Sequence, residues 1–161
     1  MDGQETKEMT MNLTRRRALA LSVGATTLAV LGVPTTRAWA SADSTEKAVK
    51  DFTGGAVPAT GRITLDAPEI AENGNTVPIS VSVESPMTAD DYVESVIFLA
   101  EGNPNPAVAT FHFTPMSGTA SATTRIRLAK TQNVVAVAKM SNGAVFSDTK
   151  LVKVTIGGCG G

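Results

Sequence analysis

From Gly61 onward, apolar residues recur at every second position, the spacing of strands with one buried face. Ile63 and Leu65 flank Thr64 before Asp66-Ala67-Pro68 interrupts the run. The clearest alternation spans Val77 to Glu84, with Val77, Ile79, Val81 and Val83 on one face and Pro78, Ser80, Ser82 and Glu84 on the other. A proline in second position suits the start of a strand or an edge. Ser85-Pro86-Met87 turns the chain, and Val93 to Leu99 reads as a strand apolar on both sides. Gly102-Asn103-Pro104-Asn105-Pro106 is a loop, after which Ala109, Phe111 and Phe113 line an inner face. Thr124, Ile126 and Leu128 form a further strand with Arg125 and Arg127 outward, and Val134 to Met140 another. Asn142-Gly143 is a strong hairpin signal, and the return strand carries Val152, Val154 and Ile156 inward, with Lys153 and Thr155 outward.

Only one segment has a helical period. Asp43 is placed to cap it, Glu46 follows in the capping-box position, Val49 and Phe52 share a face, and Gly54-Gly55 ends it. So short a helix is marginal alone and packs on the domain or on a partner. About seven short strands and one helix predict an all-β fold: an immunoglobulin-like antiparallel β-sandwich with a short N-terminal helix. The tryptophan and disulfide of antibody domains are missing, because Trp39 lies upstream of the domain and the chain has one cysteine.

The N-terminal segment changes the picture of where the domain works. Arg15-Arg16-Arg17 precedes an apolar, small-residue run from Ala18 to Val33, followed by Ala38-Trp39-Ala40. This is the layout of an export signal, and the consecutive arginines fit the twin-arginine type. The expected organisation is therefore a cleaved twin-arginine signal over 1–40, a β-sandwich domain over 41–156 and an arm over 157–161, in a periplasmic protein. Twin-arginine export of folded chains, with no metal or haem motif in view, suggests a co-exported partner subunit. Of 14 basic and 15 acidic residues, five basic and three acidic leave with the signal, so 9 face 12 in the remainder. That mild acidity excludes the basic stripe of a nucleic-acid binder.

Cysteine usage is the sharpest bound. The only cysteine, Cys159, stands in Gly157-Gly158-Cys159-Gly160-Gly161. In an oxidising compartment an unpaired cysteine pairs with another molecule or reacts. Four surrounding glycines offer the sulfur no apolar cover and leave the backbone free to move, so the thiol reads as mounted on a flexible arm that swings roughly 10 Å from Ile156. With no fixed charge beside it, the thiol keeps a pKa near the free value of about 8.5, and its activating groups must come from another protein. His112, between Phe111 and Phe113, cannot make a metal site alone, and a glycine arm would not hold it in register with Cys159. The acids Asp90, Asp91 and Glu94 read as solvated loop residues, the Asn103–Pro106 stretch as a connection, and Lys150 and Lys153 as the cations nearest the arm in sequence.

The pentapeptide Gly157-Gly158-Cys159-Gly160-Gly161, following the strand Val152-Lys153-Val154-Thr155-Ile156, closely resembles the end of the SoxY family. These are sulfur-carrier subunits of the periplasmic thiosulfate-oxidising (Sox) system. The resemblance implies a non-enzymatic carrier without cofactor or metal. Its Cys159 covalently holds thiosulfate-derived sulfur, and Gly157, Gly158, Gly160 and Gly161 let the arm enter partner active sites. It also implies a SoxZ-like subunit as heterodimer partner. The enzymes acting on the carrier would be a haem cytochrome (SoxXA), a hydrolase (SoxB) and, in many systems, a sulfane dehydrogenase (SoxCD). Two other classes fit the residues less well. A Gly-Gly thiocarboxylate carrier needs ATP and a mixed α/β fold, whereas a structural module would use Cys159 for an intermolecular disulfide.

Overall fold

Two sheets carry the alternating pattern, one of three strands in the order β1-β3-β6 and one of five in the order β2-β8-β7-β4-β5. The computed structural model describes residues 42–158. The predicted export segment and Cys159, Gly160 and Gly161 lie outside the described residues. The strands are β1 (Ile63–Asp66), β2 (Ile70–Asn73), β3 (Val77–Val83), β4 (Val93–Ala100), β5 (Ala107–His112), β6 (Ala120–Ile126), β7 (Gln132–Met140) and β8 (Val145–Ile156), preceded by helix α1 (Ala42–Thr53).

The sandwich core follows from the period-two residues. Val77, Ile79, Val81 and Val83 of β3 face Val96, Phe98 and Ala100 of β4 and Val134, Ala136 and Ala138 of β7, all buried in one cluster. Phe98 meets Phe111 edge-on, with ring centroids 5.9 Å apart and planes at 85°, a geometry favoured by the aromatic quadrupole. Pro78 is tolerated in the middle strand because β1 pairs only with Ser80 to Val83, leaving β3 an edge at its start.

The second face of β4 is apolar because α1 covers it. Ile97 and Leu99, with Val135 and Val137 of β7, pack against Ala48, Val49 and Phe52. The expected helical face is thus used within the domain. Asp43 differs from expectation: the helix starts at Ala42, so Asp43 sits in the first turn, where its charge complements the N-terminal dipole, rather than at the cap. At the other end Gly54 (φ +68°) and Gly55 (φ +91°) turn the chain left-handed, and the Gly55 N–H donates to Lys50 O at 2.9 Å, closing the helix.

The sequence pattern misses β2. Ile70-Ala71-Glu72-Asn73 buries only Ala71, so it has no alternation to detect. It is a strand because it pairs with β8, matching Ile70 to Lys153 and Ala71 to Val154, and this ladder is parallel, unlike the antiparallel ladders elsewhere in the two sheets. Ile156 also departs from its expected inward position and is 66% exposed, because the core ends at Val152 and Val154. The predicted hairpin joins β7 to β8: Gly143 has φ +84°, and the Met140 N–H donates to Ala144 O at 2.8 Å.

Candidate functional site

Where β8 runs out, its backbone is gripped from two sides. The Gly74 N–H donates to Ile156 O at 2.8 Å, the Leu128 N–H to Gly74 O at 2.8 Å, and the Gly158 N–H to Leu128 O at 3.0 Å. Three segments distant in sequence, the turn after β2, the stretch after β6 and the end of β8, close on one another through main-chain bonds. Gly74 and Gly158 are both buried.

Glycine is needed here for close approach. A Cβ on Gly158 would stand 2.8 Å from Gly74 O, 2.9 Å from Gly74 C and 3.1 Å from Asn75 N. One on Gly74 would strike Leu128 O and lie 2.7 Å from Gly158 N and 2.9 Å from Val154 Cγ1, and one on Gly157 would strike Ala129 O. None of the three has the left-handed φ that demands glycine for conformation. The expected flexible arm therefore has a fixed root: Gly157 and Gly158 pack against backbone, and Cys159 is bonded directly to the anchored Gly158.

Leu128 can serve as the middle of this clasp because a buried polar cluster holds its flanks. Asn103, 7% exposed, donates from Nδ2 to Arg127 O at 2.8 Å and accepts at Oδ1 from Ala129 N at 3.0 Å and from Gln132 Nε2 at 3.0 Å. Gln132 Nε2 also donates to Lys130 O at 3.0 Å, and its Oε1 accepts from Gly102 N at 2.6 Å. A little further on, Thr131 Oγ1 accepts from Val154 N at 2.9 Å and ties the same stretch to β8. On the opposite turn, Asn73 Oδ1 accepts the Asn75 N–H at 2.9 Å and shapes the loop that presents Gly74.

The other sequence candidates do not converge on this root. His112 is exposed on β5. Register runs from His112 to Ser95, Lys139 and Val145, so His112 lies three strands across, at the hairpin end of β8. Eleven residues of strand, roughly 36 Å at the usual rise, separate that end from Ile156. Asp91 pairs with Arg62 Nη2 at 3.6 Å and Glu94 with Lys139 Nζ at 3.1 Å, while the Asp90 backbone carbonyl accepts from Ser141 Oγ at 3.4 Å. These acids are structural surface groups. Among the described residues no set of three His, Cys, Asp or Glu side chains is placed to hold a metal.

Lys150 and Lys153 lie back along β8, paired with Val134 and Ile70. Arg127 adjoins Leu128, the residue hydrogen-bonded to Gly158. With Arg125 it lines a shallow pocket of about 260 Å³ beside Asn103. Gly74, Asn103, Leu128 and Gln132 were not singled out as site residues by sequence. Asn73-Gly74-Asn75 signals a turn, but only the fold shows what the turn touches.

A family model for the sulfur oxidation protein SoxY matches residues 49–159. No curated protein matches the chain. Among solved structures, the sulfur carrier protein SoxY from Chlorobium limicola f thiosulfatophilum is 32% identical, with 72% of this chain and 100% of that chain covered and a TM-score of 0.60. Superoxide reductase (Neelaredoxin) from Ignicoccus hospitalis aligns at 24% identity over 59% of this chain and 81% of its own, with a TM-score of 0.52. At that identity the second likeness speaks to the fold alone.

Proposed function

The chain belongs to the SoxY family of sulfur oxidation proteins, and from that membership we propose that it is a sulfur carrier whose cargo is bonded to Cys159. The observation that carries this reading is the family match itself, which runs through Gly157 and Gly158 to residue 159 and so takes in the lone thiol. The clasp supports it, because the backbone is bonded to the domain as far as Gly158, the residue that precedes the thiol.

In the proposed cycle the Cys159 thiol and thiosulfate form a sulfur–sulfur bond, losing one proton and two electrons to a haem cytochrome. The product is a cysteine S-thiosulfonate. Hydrolysis by a partner enzyme then transfers the terminal sulfonate to water as sulfate and leaves a persulfide on Cys159. A sulfane dehydrogenase, where present, oxidises that sulfur further. Covalent attachment keeps an anionic intermediate from dissociating between enzymes, and thiol–disulfide chemistry makes release reversible. Among the described residues His112 sits at the far end of the sandwich from the root of the arm, and on this reading the activating groups come from the partner enzymes. The protein acts in the periplasm after twin-arginine export, in complex with a SoxZ-like subunit.

Intact mass of the exported protein, under non-reducing conditions and with or without thiosulfate, tests this reading. Sulfur or thiosulfonate increments that map to Cys159, vanish on reduction and are lost in Cys159→Ser are expected. A bare thiol in both conditions, or only a protein–protein disulfide, would refute a carrier and leave a structural module.

A further inference from the structure

We propose that Gly74 is a positioning residue for the carrier cysteine, acting through a backbone clasp with Leu128 and Gly158. The proposal rests on the carrier reading and goes beyond it, because it assigns a role to a residue 84 positions upstream of Gly158 in the chain. Gly74 bonds to both other segments, its N–H reaching Ile156 O and its carbonyl taking the Leu128 N–H, and Leu128 O in turn holds Gly158. The geometry leaves no room for any side chain at Gly74, where even a methyl would strike Leu128 O and come within 2.7 Å of Gly158 N. Its backbone is not left-handed, so replacement by alanine adds no conformational strain and acts by contact alone.

The clasp sets how far the thiol ranges. With Gly158 fixed, the Cys159 Cα lies one peptide, about 3.8 Å, from an anchored atom. With the clasp open, the last strand residue is Ile156 and the same atom ranges over three residues, roughly 10 Å. Adding the side-chain reach to both, the volume searched grows on the order of ten-fold, and the share of time spent in one productive position falls accordingly. The two leading glycines thus fasten the root of the arm against the rim formed by Gly74, Leu128 and Ala129, and a processing enzyme meets an arm that starts from a fixed point.

Two readouts on the same samples test this: amide hydrogen exchange at Gly158 by NMR, and steady-state loading of the carrier by the thiosulfate-conjugating cytochrome. The samples are the unsubstituted protein with its partner subunit, Gly74→Ala, Gly158→Ala and Gly143→Ala. The last alters a left-handed turn glycine at the other end of β8, with nothing within 4 Å of its Cβ position, and controls for general destabilisation. Slow Gly158 exchange is expected in the unsubstituted protein and in Gly143→Ala, and fast exchange in the two clasp variants. KM for the carrier should rise about 5- to 10-fold in the clasp variants, with kcat unchanged within two-fold. Gly158→Ala opens the clasp from its other side and answers the question if Gly74→Ala does not fold. Fast exchange in the unsubstituted protein, an unchanged or lower KM in the clasp variants, or an equal KM rise in Gly143→Ala would overturn the proposal. A failure of the unsubstituted protein to load would instead refute the carrier reading, and the positioning role with it, while slow Gly158 exchange would still report the clasp.

Discussion

Replacing Asn103 by alanine removes the side chain that fixes the stretch holding Gly158. Three hydrogen bonds go: Nδ2 to Arg127 O, and Oδ1 from Ala129 N and from Gln132 Nε2. Each is worth about 1 kcal/mol net, and a buried donor or acceptor left without a partner costs about 1–3 kcal/mol. Gln132 Nε2 keeps Lys130 O, and Ala129 is only partly buried, so water can replace part of what is lost. The sum is about 2–4 kcal/mol. For a domain of this size, each kcal/mol lowers Tm by roughly 4 °C, and calorimetry of the protein should find Asn103→Ala melting roughly 8–16 °C lower. A drop below about 4 °C would refute the reasoning, because it would mean that loop 101–106 is only a connection. Asn103→Asp separates the two halves of the effect. It keeps the acceptors, loses the donor to Arg127 O and buries a charge, so it should melt at least as low near neutrality. Its deficit should shrink on acidification, as the carboxyl protonates and a donor returns.

Two further substitutions probe the core and the arm root. Phe98→Ala empties a fully buried site packed edge-on against Phe111 and should cost about 3–5 kcal/mol, read as a lower denaturant midpoint at unchanged slope. Gly158→Val meets the Gly74 backbone within 3 Å and so must leave the clasp. Turnover by the partner enzymes is expected to fall while the far-UV spectrum and cooperative melting persist, and equal turnover by both proteins would contradict it.

Local periodicity encodes most of the elements of this domain. Val77 to Val83 alternates because one face of a pleated strand is buried, and the same period marks β1, β5, β6 and the end of β8. Helix α1 and the Asn142-Gly143 hairpin were equally legible, since a helical face and a left-handed turn are written in neighbouring residues. The proposal that Cys159 is the reactive group also began in the sequence, from the single cysteine of the chain.

Contacts between segments that carry no local signal become visible in the folded chain alone. Strand β2 exists because β8 offers it a free edge, and its residues show no alternation of their own. Asn103 and Gln132 look like polar loop residues until the fold buries them against each other. Gly157 and Gly158 carry the composition of a flexible linker, yet the fold uses their missing side chains to bring three backbones together. Composition reports what conformations a glycine permits. Whether that freedom is kept or consumed depends on which distant carbonyl lies opposite, and here those are Leu128 O for Gly158 and Ile156 O for Gly74.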